Sequence, residues 1–244
     1  NFAHYAASQL AYIITSGEKG TRNSLIIKYY LISDRLESKV SLQFQEGLAR
    51  QCMAEVCLAY LLDLSHDLTA VELQDWPLAQ YAARYWMGHA GHAGPDAKGL
   101  ENLVWEFVQS ERCYQICFGL YNPDRPWDKG DLNNFEKVVA PLLYYMAGGN
   151  VFCAVEKVLN DGADVNAQGG EYGNALQAAS FKGHKEIVQT LVDKGADVNA
   201  QGGRYGNALQ AASSGGHQEI LQIFVDNGAL LTGRVNRTRK AEVM

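Results

Sequence analysis

The sequence contains no run of about 18 uncharged apolar residues, so no segment reads as a membrane-spanning helix. It has no surplus of basic residues: 21 Lys and Arg face 27 Asp and Glu, a formal net charge of -6. A broad nucleic-acid footprint needs clustered excess cations, so nucleic acid is not an expected partner. No G-x-x-x-x-G-K-[ST] stretch occurs, and holding nucleotide phosphates takes both the backbone cradle and the Lys. The glycine pairs Gly169-Gly170 and Gly202-Gly203 have no Lys after them. A G-x-S-x-G nucleophile elbow is missing too. The expectation is therefore no enzyme, no catalytic residue and no cofactor.

No leader pattern of a basic stretch, an apolar stretch and a cleavage site opens the chain. The first residue is Asn1 rather than Met, which reads as a fragment of a longer protein. The five cysteines are an odd number and sit mostly in helical patterns. They read as reduced, partly buried thiols of an intracellular, cytoplasmic protein. A metal site can be assembled on paper from Cys113 and Cys117, Cys52 and Cys57, and His89 and His92. These pairs lack the tight knuckle spacing of structural zinc, so no metal is expected. Asn236-Arg237-Thr238 matches a glycosylation acceptor, which is idle without a secretory route. With 47% apolar and 20% charged residues, the 244-residue chain has an ordinary soluble composition and ample length for a core.

What is present is a repeat. Residues 162–194 and 195–227 are identical at 25 of 33 positions. In each copy an Asn, Asn174 or Asn207, precedes a short stretch of small and apolar residues, and its side chain can cap a helix. The small residues of Ala175-Leu176-Gln177-Ala178-Ala179-Ser180 allow a neighbouring helix to approach closely. Gly183 then suits a left-handed helix end. Ile187, Val188, Leu191 and Val192 form one buried stripe on a second helix, which Gly195 ends. Asp197 to Gly203 is turn chemistry and predicts a hairpin-like finger. The recurring His184 and His217 read as structural groups that bond backbone between helix and finger.

This pattern resembles the ankyrin repeat, a β-turn plus two helices in 33 residues. The family's Thr-Pro-Leu-His wording stands here as Asn174-Ala175-Leu176-Gln177 and Asn207-Ala208-Leu209-Gln210. The Asn keeps a capping oxygen, and the Ala keeps helix propensity while losing a rigid Pro. A worn copy at 141–161 is expected, with a spacing about one residue off the later ones. A further copy opens at Gly228-Ala229 and decays. So few repeats need covering neighbours, because each buries its faces only against the next. The N-terminal helices are expected to cap the array.

Upstream, residues 43–65 read as a helix with a wide apolar face of Phe44, Leu48, Cys52, Val56, Leu58, Ala59, Leu61 and Leu62. A second helix starts around Asp75-Trp76-Pro77, with Pro77 suited to its first turn. A loop follows from His89 to Gly99, and then one helix over 100–118. Tyr81, Tyr85, Trp86, Trp105 and Phe107 fall at helical spacing and read as packing rather than a ligand cage. The basic tail, with Arg234, Arg237, Arg239 and Lys240, reads as a solvated end.

Several short motifs carry a second resemblance. They are Phe2-Ala3-His4-Tyr5, Tyr30-Leu31-Ile32-Ser33-Asp34-Arg35, Cys57-Leu58-Ala59-Tyr60-Leu61-Leu62, Pro77-Leu78-Ala79-Gln80-Tyr81-Ala82-Ala83-Arg84-Tyr85-Trp86 and Tyr121-Asn122-Pro123-Asp124-Arg125-Pro126-Trp127. Together they look like the region between the NACHT domain and the ankyrin repeats of filamentous-fungal STAND proteins, the NLR-like signalling NTPases. In that family the first two motifs nearly touch, whereas Ala6 to Ile26 separates them here. That stretch is either a surface insertion or, the favoured reading, a retained intron translated in frame, which should then be the least ordered part of the chain.

The expected fold is all-α: an N-terminal helical domain packed on a short ankyrin-repeat solenoid with β-turn fingers. The expected division is an N-terminal segment at 1–42 with the insertion at 6–26, a helical region at 43–135, ankyrin repeats at 136–232 and the tail at 233–244. The two clear copies differ at Glu171/Arg204 in the finger, at Phe181/Ser214 and Lys182/Gly215 at the end of the first helix, and at Lys185/Gln218. Core differences such as Val188/Leu221 and Leu191/Phe224 stay apolar. Chemistry changing outside while size is tuned inside suits an interaction scaffold, although drift after a duplication also spares a core. The expected contact residues for a protein partner on the concave face are Glu171, Tyr172, Phe181, Lys182, Arg204, Tyr205, Ser214 and Gly215. The family resemblance implies either the sensor end of a STAND protein or the regulatory half of a NACHT NTPase whose catalytic domain lies elsewhere. A decayed gene fragment is the third reading. The sequence assigns no oligomeric state.

Overall fold

In a computed structural model, residues 46–65, 76–93, 98–127 and 140–229 are described. The motifs before residue 46, the 6–26 stretch and the basic tail lie outside them. Among the described residues there are ten α-helices and no strand; two isolated bridges close the fingers. The fold is thus an all-α ankyrin-type solenoid with a helical domain packed on one end.

The helical domain comprises α1 (Glu46–Ser65), α2 (Ala79–Ala90), α3 (Lys98–Gln109) and α4 (Glu111–Leu120). α1 is apolar almost all round, so its periodicity does not single out one face. Its buried stripe is Ala54, Cys57, Leu58, Leu61 and Leu64, while Cys52, Val56, Ala59 and Leu62 are only half-buried. Helix α2 begins two residues after Pro77, at Ala79, because Trp76-Pro77-Leu78 forms the entry turn. It also continues through His89, which is buried on the helix rather than placed in a loop.

The single helix expected over 100–118 is two. Ser110 interrupts it with extended backbone, and its Oγ accepts the amide of Cys113 at 3.3 Å, capping α4. Trp86 and Phe107 are fully buried with ring centroids 4.7 Å apart and form core. Tyr81 and Trp105 are only half-buried, and Tyr85 is 41% exposed.

Among the described residues the solenoid has three helix pairs: α5 (Leu142–Gly148) with α6 (Phe152–Asn160), α7 (Ala175–Lys182) with α8 (Lys185–Asp193), and α9 (Ala208–Gly215) with α10 (Gln218–Asp226). The first helices start at 142, 175 and 208, and the second at 152, 185 and 218. The worn copy is therefore in strict 33-residue register, not one residue off. Its residue composition hides this, because Pro141 stands where Asn174 and Asn207 cap, and Asn150 where Gly183 and Gly216 turn. Asn150 nevertheless takes the same left-handed backbone, φ 61°.

Local chemistry explains each unit. The Oδ1 of Asn174 accepts the amide of Gln177 at 2.9 Å, and that of Asn207 accepts Gln210 at 2.8 Å. Ala175, Ala178 and Ala179 are fully buried, so α7 lies close to both α5 and α9. Ile187, Val188 and Leu191 fill the space between inner and outer helices with no exposure. Burial of such side chains contributes about 1.5–3 kcal/mol each.

One contiguous core runs from Ala54 in α1 to Phe224 in α10. The helical domain covers the first repeat at several points. Phe118 stacks on Tyr145 at 3.8 Å, and the Lys157 ammonium sits 4.0 Å over the Trp105 ring. Asn150 Nδ2 donates to the carbonyl of Gly91 at 2.9 Å. The backbones meet so closely here that a Cβ on Gly91 would lie 2.9 Å from the carbonyls of both Gly149 and Asn150.

Candidate functional site

The fingers that connect the repeats stand beside the inner helices and carry the first variable pair, Glu171/Arg204. Each finger is closed by a backbone bond from the amide of Gly169 to the carbonyl of Gly173 or from Gly202 to Gly206, both 2.8 Å, with a longer return bond from Gly173 to Gly170 or Gly206 to Gly203. Adjacent fingers are also bonded, with the amide of Arg204 donating to the carbonyl of Glu171 at 2.9 Å. This contact is backbone on backbone at Gly203, where an added Cβ would overlap the Tyr172 carbonyl and φ is 61°.

This spacing brings Tyr172 and Tyr205 together with ring centroids 6.0 Å apart and planes 9° from parallel. Phe181, from the end of α7, stacks on both, at 4.9 Å from Tyr172 and 4.8 Å from Tyr205. All three rings are half-buried. Lys182 is exposed, with its ammonium 5.9 Å from the Tyr172 ring and 5.8 Å from that of Phe181. Arg204 pairs with Glu171 at 2.6 Å, with the two side chains 61% and 27% exposed. That bond raises the Arg204 pKa. Such an exposed pair contributes little stability.

Six of the eight residues singled out from the sequence thus form one cluster: Glu171, Tyr172, Phe181, Lys182, Arg204 and Tyr205. Ser214 and Gly215 end the next inner helix, with Ser214 exposed. A Cβ on Gly215 would meet the Phe181 carbonyl at 2.5 Å, so this residue spaces the inner helices. The fourth variable pair lies outside the cluster, with Lys185 instead paired to Glu219 across the outer helices at 2.9 Å.

Two residues that the sequence reading passed over support this cluster. Tyr144 occupies the register position of Gln177 and Gln210 in the worn repeat. Its hydroxyl donates to Asp124 Oδ1 at 2.6 Å and accepts the Tyr172 amide at 3.2 Å. Asp124 Oδ2 takes the Glu171 amide at 2.9 Å. The Tyr121–Trp127 connection is thereby fastened to the first finger. Burial and the bond to Asp124 hold the Tyr144 phenol protonated far above the usual range. Running the 33-residue period backwards from Gln177 would have found Tyr144. No local pattern marks Asp124.

Gln177 does the equivalent work one repeat on. Its Nε2 faces the carbonyls of Ala200, Gly202 and Gly206 in the next finger at 3.3–3.5 Å. The histidines bond elsewhere than expected. His184 Nε2 reaches the carbonyl of Gly148 at 3.2 Å and His217 Nε2 that of Phe181 at 3.0 Å. Each ties its repeat to the preceding inner helix rather than to a finger, because it sits at the N-terminal end of the outer helix.

The cysteines have structural surroundings. Cys113 donates to the Leu61 carbonyl at 3.4 Å and Cys117 to that of Ala83 at 3.9 Å. Burial pushes the Cys57 thiol up to about 12 and raises that of Cys117 as well. Protonated thiols are poor metal ligands and poor nucleophiles. Among the described residues no three His, Cys, Asp or Glu side chains converge as a metal-holding group. No helix among them is long and apolar enough to cross a membrane.

The paired helices, the fingers and the strict register define an ankyrin-repeat array, and residues 128–238 match the family model for ankyrin repeats in three copies. The chain is also similar to the azaphilone pigments biosynthesis cluster protein L of Monascus ruber, with 36% identity over 182 residues. That alignment takes in 68% of this chain and 38% of the relative, so the chain spans well under half of that protein's length.

Proposed function

We propose that this chain is a non-catalytic protein-interaction module whose partner lies against the fingers and inner helices. The observation that carries the reading is the convergence of three of the pairs at which the two near-identical repeats differ in chemistry, whereas Lys185/Gln218, Thr190/Ile223 and Lys194/Asn227 lie on or at the end of the outer helices. Glu171, Phe181, Lys182 and Arg204 meet around Tyr172 and Tyr205, while the interior differences Val188/Leu221 and Leu191/Phe224 remain apolar. Ankyrin repeats commonly use such surfaces, since curvature along a solenoid creates an extended concave face.

The test compares two variants of the full chain in partner capture. Phe181→Ser copies the residue of the following repeat and removes the stacking ring. Val188→Leu copies an interior difference. A partner retained by the native chain and V188L but lost with F181S supports the reading. Partners that survive F181S would place binding elsewhere.

Within that module, the short motifs favour the sensor or scaffold end of a fungal STAND-type signalling protein. The second reading, the regulatory half of a NACHT NTPase, rests on the same motifs. Sequencing the reading frame upstream of Asn1 separates these from a decayed fragment. A phosphate-binding loop in the same frame supports the signalling readings, and a stop codon removes them.

A further inference from the structure

We infer that the partner presents an extended acidic segment, with carboxylates on alternate residues, to the face formed by Tyr172, Phe181, Tyr205, Lys182 and Arg204. This rests on the reading of that face as the partner site.

Charge is the first reason. The chain as a whole is acidic, at -6, yet the exposed charges on this face that have no ionic partner are cations. Asp124 keeps its negative charge but is half-buried, its oxygens taking the Tyr144 hydroxyl and the Glu171 amide, and Glu171 is paired with Arg204. Lys182 is exposed and has no carboxylate within ion-pair distance among the described residues. Arg204 spends one nitrogen on Glu171 and keeps further N–H donors. Exposed Arg125 directly follows Asp124, which is fastened to the first finger. A cationic patch on an acidic molecule steers anionic partners toward it and repels cationic ones.

Ring geometry is the second. Tyr172, Phe181 and Tyr205 stack on one another, so each ring has a face engaged within the cluster. Their electropositive ring edges, phenolic O–H groups and the neighbouring cations suit carboxylate oxygens.

Spacing is the third. Tyr172 and Tyr205 are 6.0 Å apart. Residues i and i+2 of an extended chain point the same way and lie roughly 6.6 Å apart. Successive fingers therefore meet alternate side chains of a strand-like ligand.

The experiment uses the full chain and three fluorescein-labelled peptides in which every second residue is Glu, Gln or Lys, the others Ser. The Glu peptide should bind about tenfold more tightly than the Gln peptide and lose that advantage in Lys182→Glu. Binding should also weaken as salt rises. Lys182 is solvent-exposed, so K182E leaves the thermal unfolding midpoint near that of the native chain, and this is checked alongside. A Gln or Lys peptide that binds as well as Glu, or Glu binding unchanged in K182E, overturns the inference. A random-peptide display selection on the same chain separates the two levels. Clones that need Phe181 but carry no acidic bias overturn the acidic partner and leave the site standing. If no clone depends on Phe181, both fall.

Discussion

The hydroxyl of Tyr144 donates to Asp124 across 20 residues of sequence, at 2.6 Å, and the same oxygen accepts the amide of Tyr172. One phenol thus joins the helical domain's last connection to the first finger. Tyr144→Phe should lower the unfolding free energy by about 1–3 kcal/mol, since a half-buried amide and a carboxylate both lose a partner. Denaturant titration measures this. A change under about 0.5 kcal/mol would mean the connection is held by other contacts.

The register makes Gln177 and Gln210 the same residue in different surroundings. Gln177 is buried and reaches three carbonyls of the next finger, whereas Gln210 makes no such bond among the described residues. Gln177→Ala should cost about 1–3 kcal/mol and Gln210→Ala under about 0.5. Equal costs in equilibrium unfolding would refute the clasp.

His184 gives the array a pH dependence. Burial lowers its pKa most, and Lys182, His92 and His217 add to this, while the bond to the Gly148 carbonyl opposes it. The folded state therefore holds a neutral imidazole that the unfolded chain protonates more readily. Stability is full above the unfolded value of about 6.5 and falls as pH drops below it. His89, lowered chiefly by burial, acts in the same direction. Thermal melts from pH 8 to pH 5 should show the decline, and His184→Gln should flatten part of it. An unchanged slope in H184Q would assign the dependence to other groups.

Gly203 sets the distance between the fingers. Alanine there meets the Tyr172 carbonyl and a left-handed backbone together. Gly203→Ala should therefore separate the fingers, cost about 1–3 kcal/mol, and weaken any ligand that spans Tyr172 and Tyr205 far more than Gly162→Ala. Gly162 shares the positive φ but has open space around it. Comparable binding losses in the two variants would remove the spacing argument.

The solenoid could be read in the sequence because its units obey local rules. Asn174 and Asn207 cap, Gly183 turns, and Ile187, Val188 and Leu191 bury at helical period. The candidate surface was readable for a different reason, since two near-identical copies flag their own variable positions. Long-range relationships left no such trace. Asp124 meets Glu171 from 47 residues away, and nothing in Asn122-Pro123-Asp124 foretells it. The break at Ser110 was legible in principle as a cap, but apolar periodicity on both sides masked it. In α1, apolar residues on nearly every side concealed which stripe faces inward.

The close approach of Gly91 to Asn150 also has a kinetic side. A repeat array unravels from whichever end has the weaker neighbour. Here the helical domain clamps the first pair, whereas the Gln clasp of the last pair has nothing to hold among the described residues. Amide protons should consequently exchange in a graded order, fastest in α9 and α10, slower in α7 and α8, and slowest in α5 and α6. Among the described pairs, a partner gripping Tyr205 would hold α9 and α10 from outside, as the helical domain holds α5 and α6 from within.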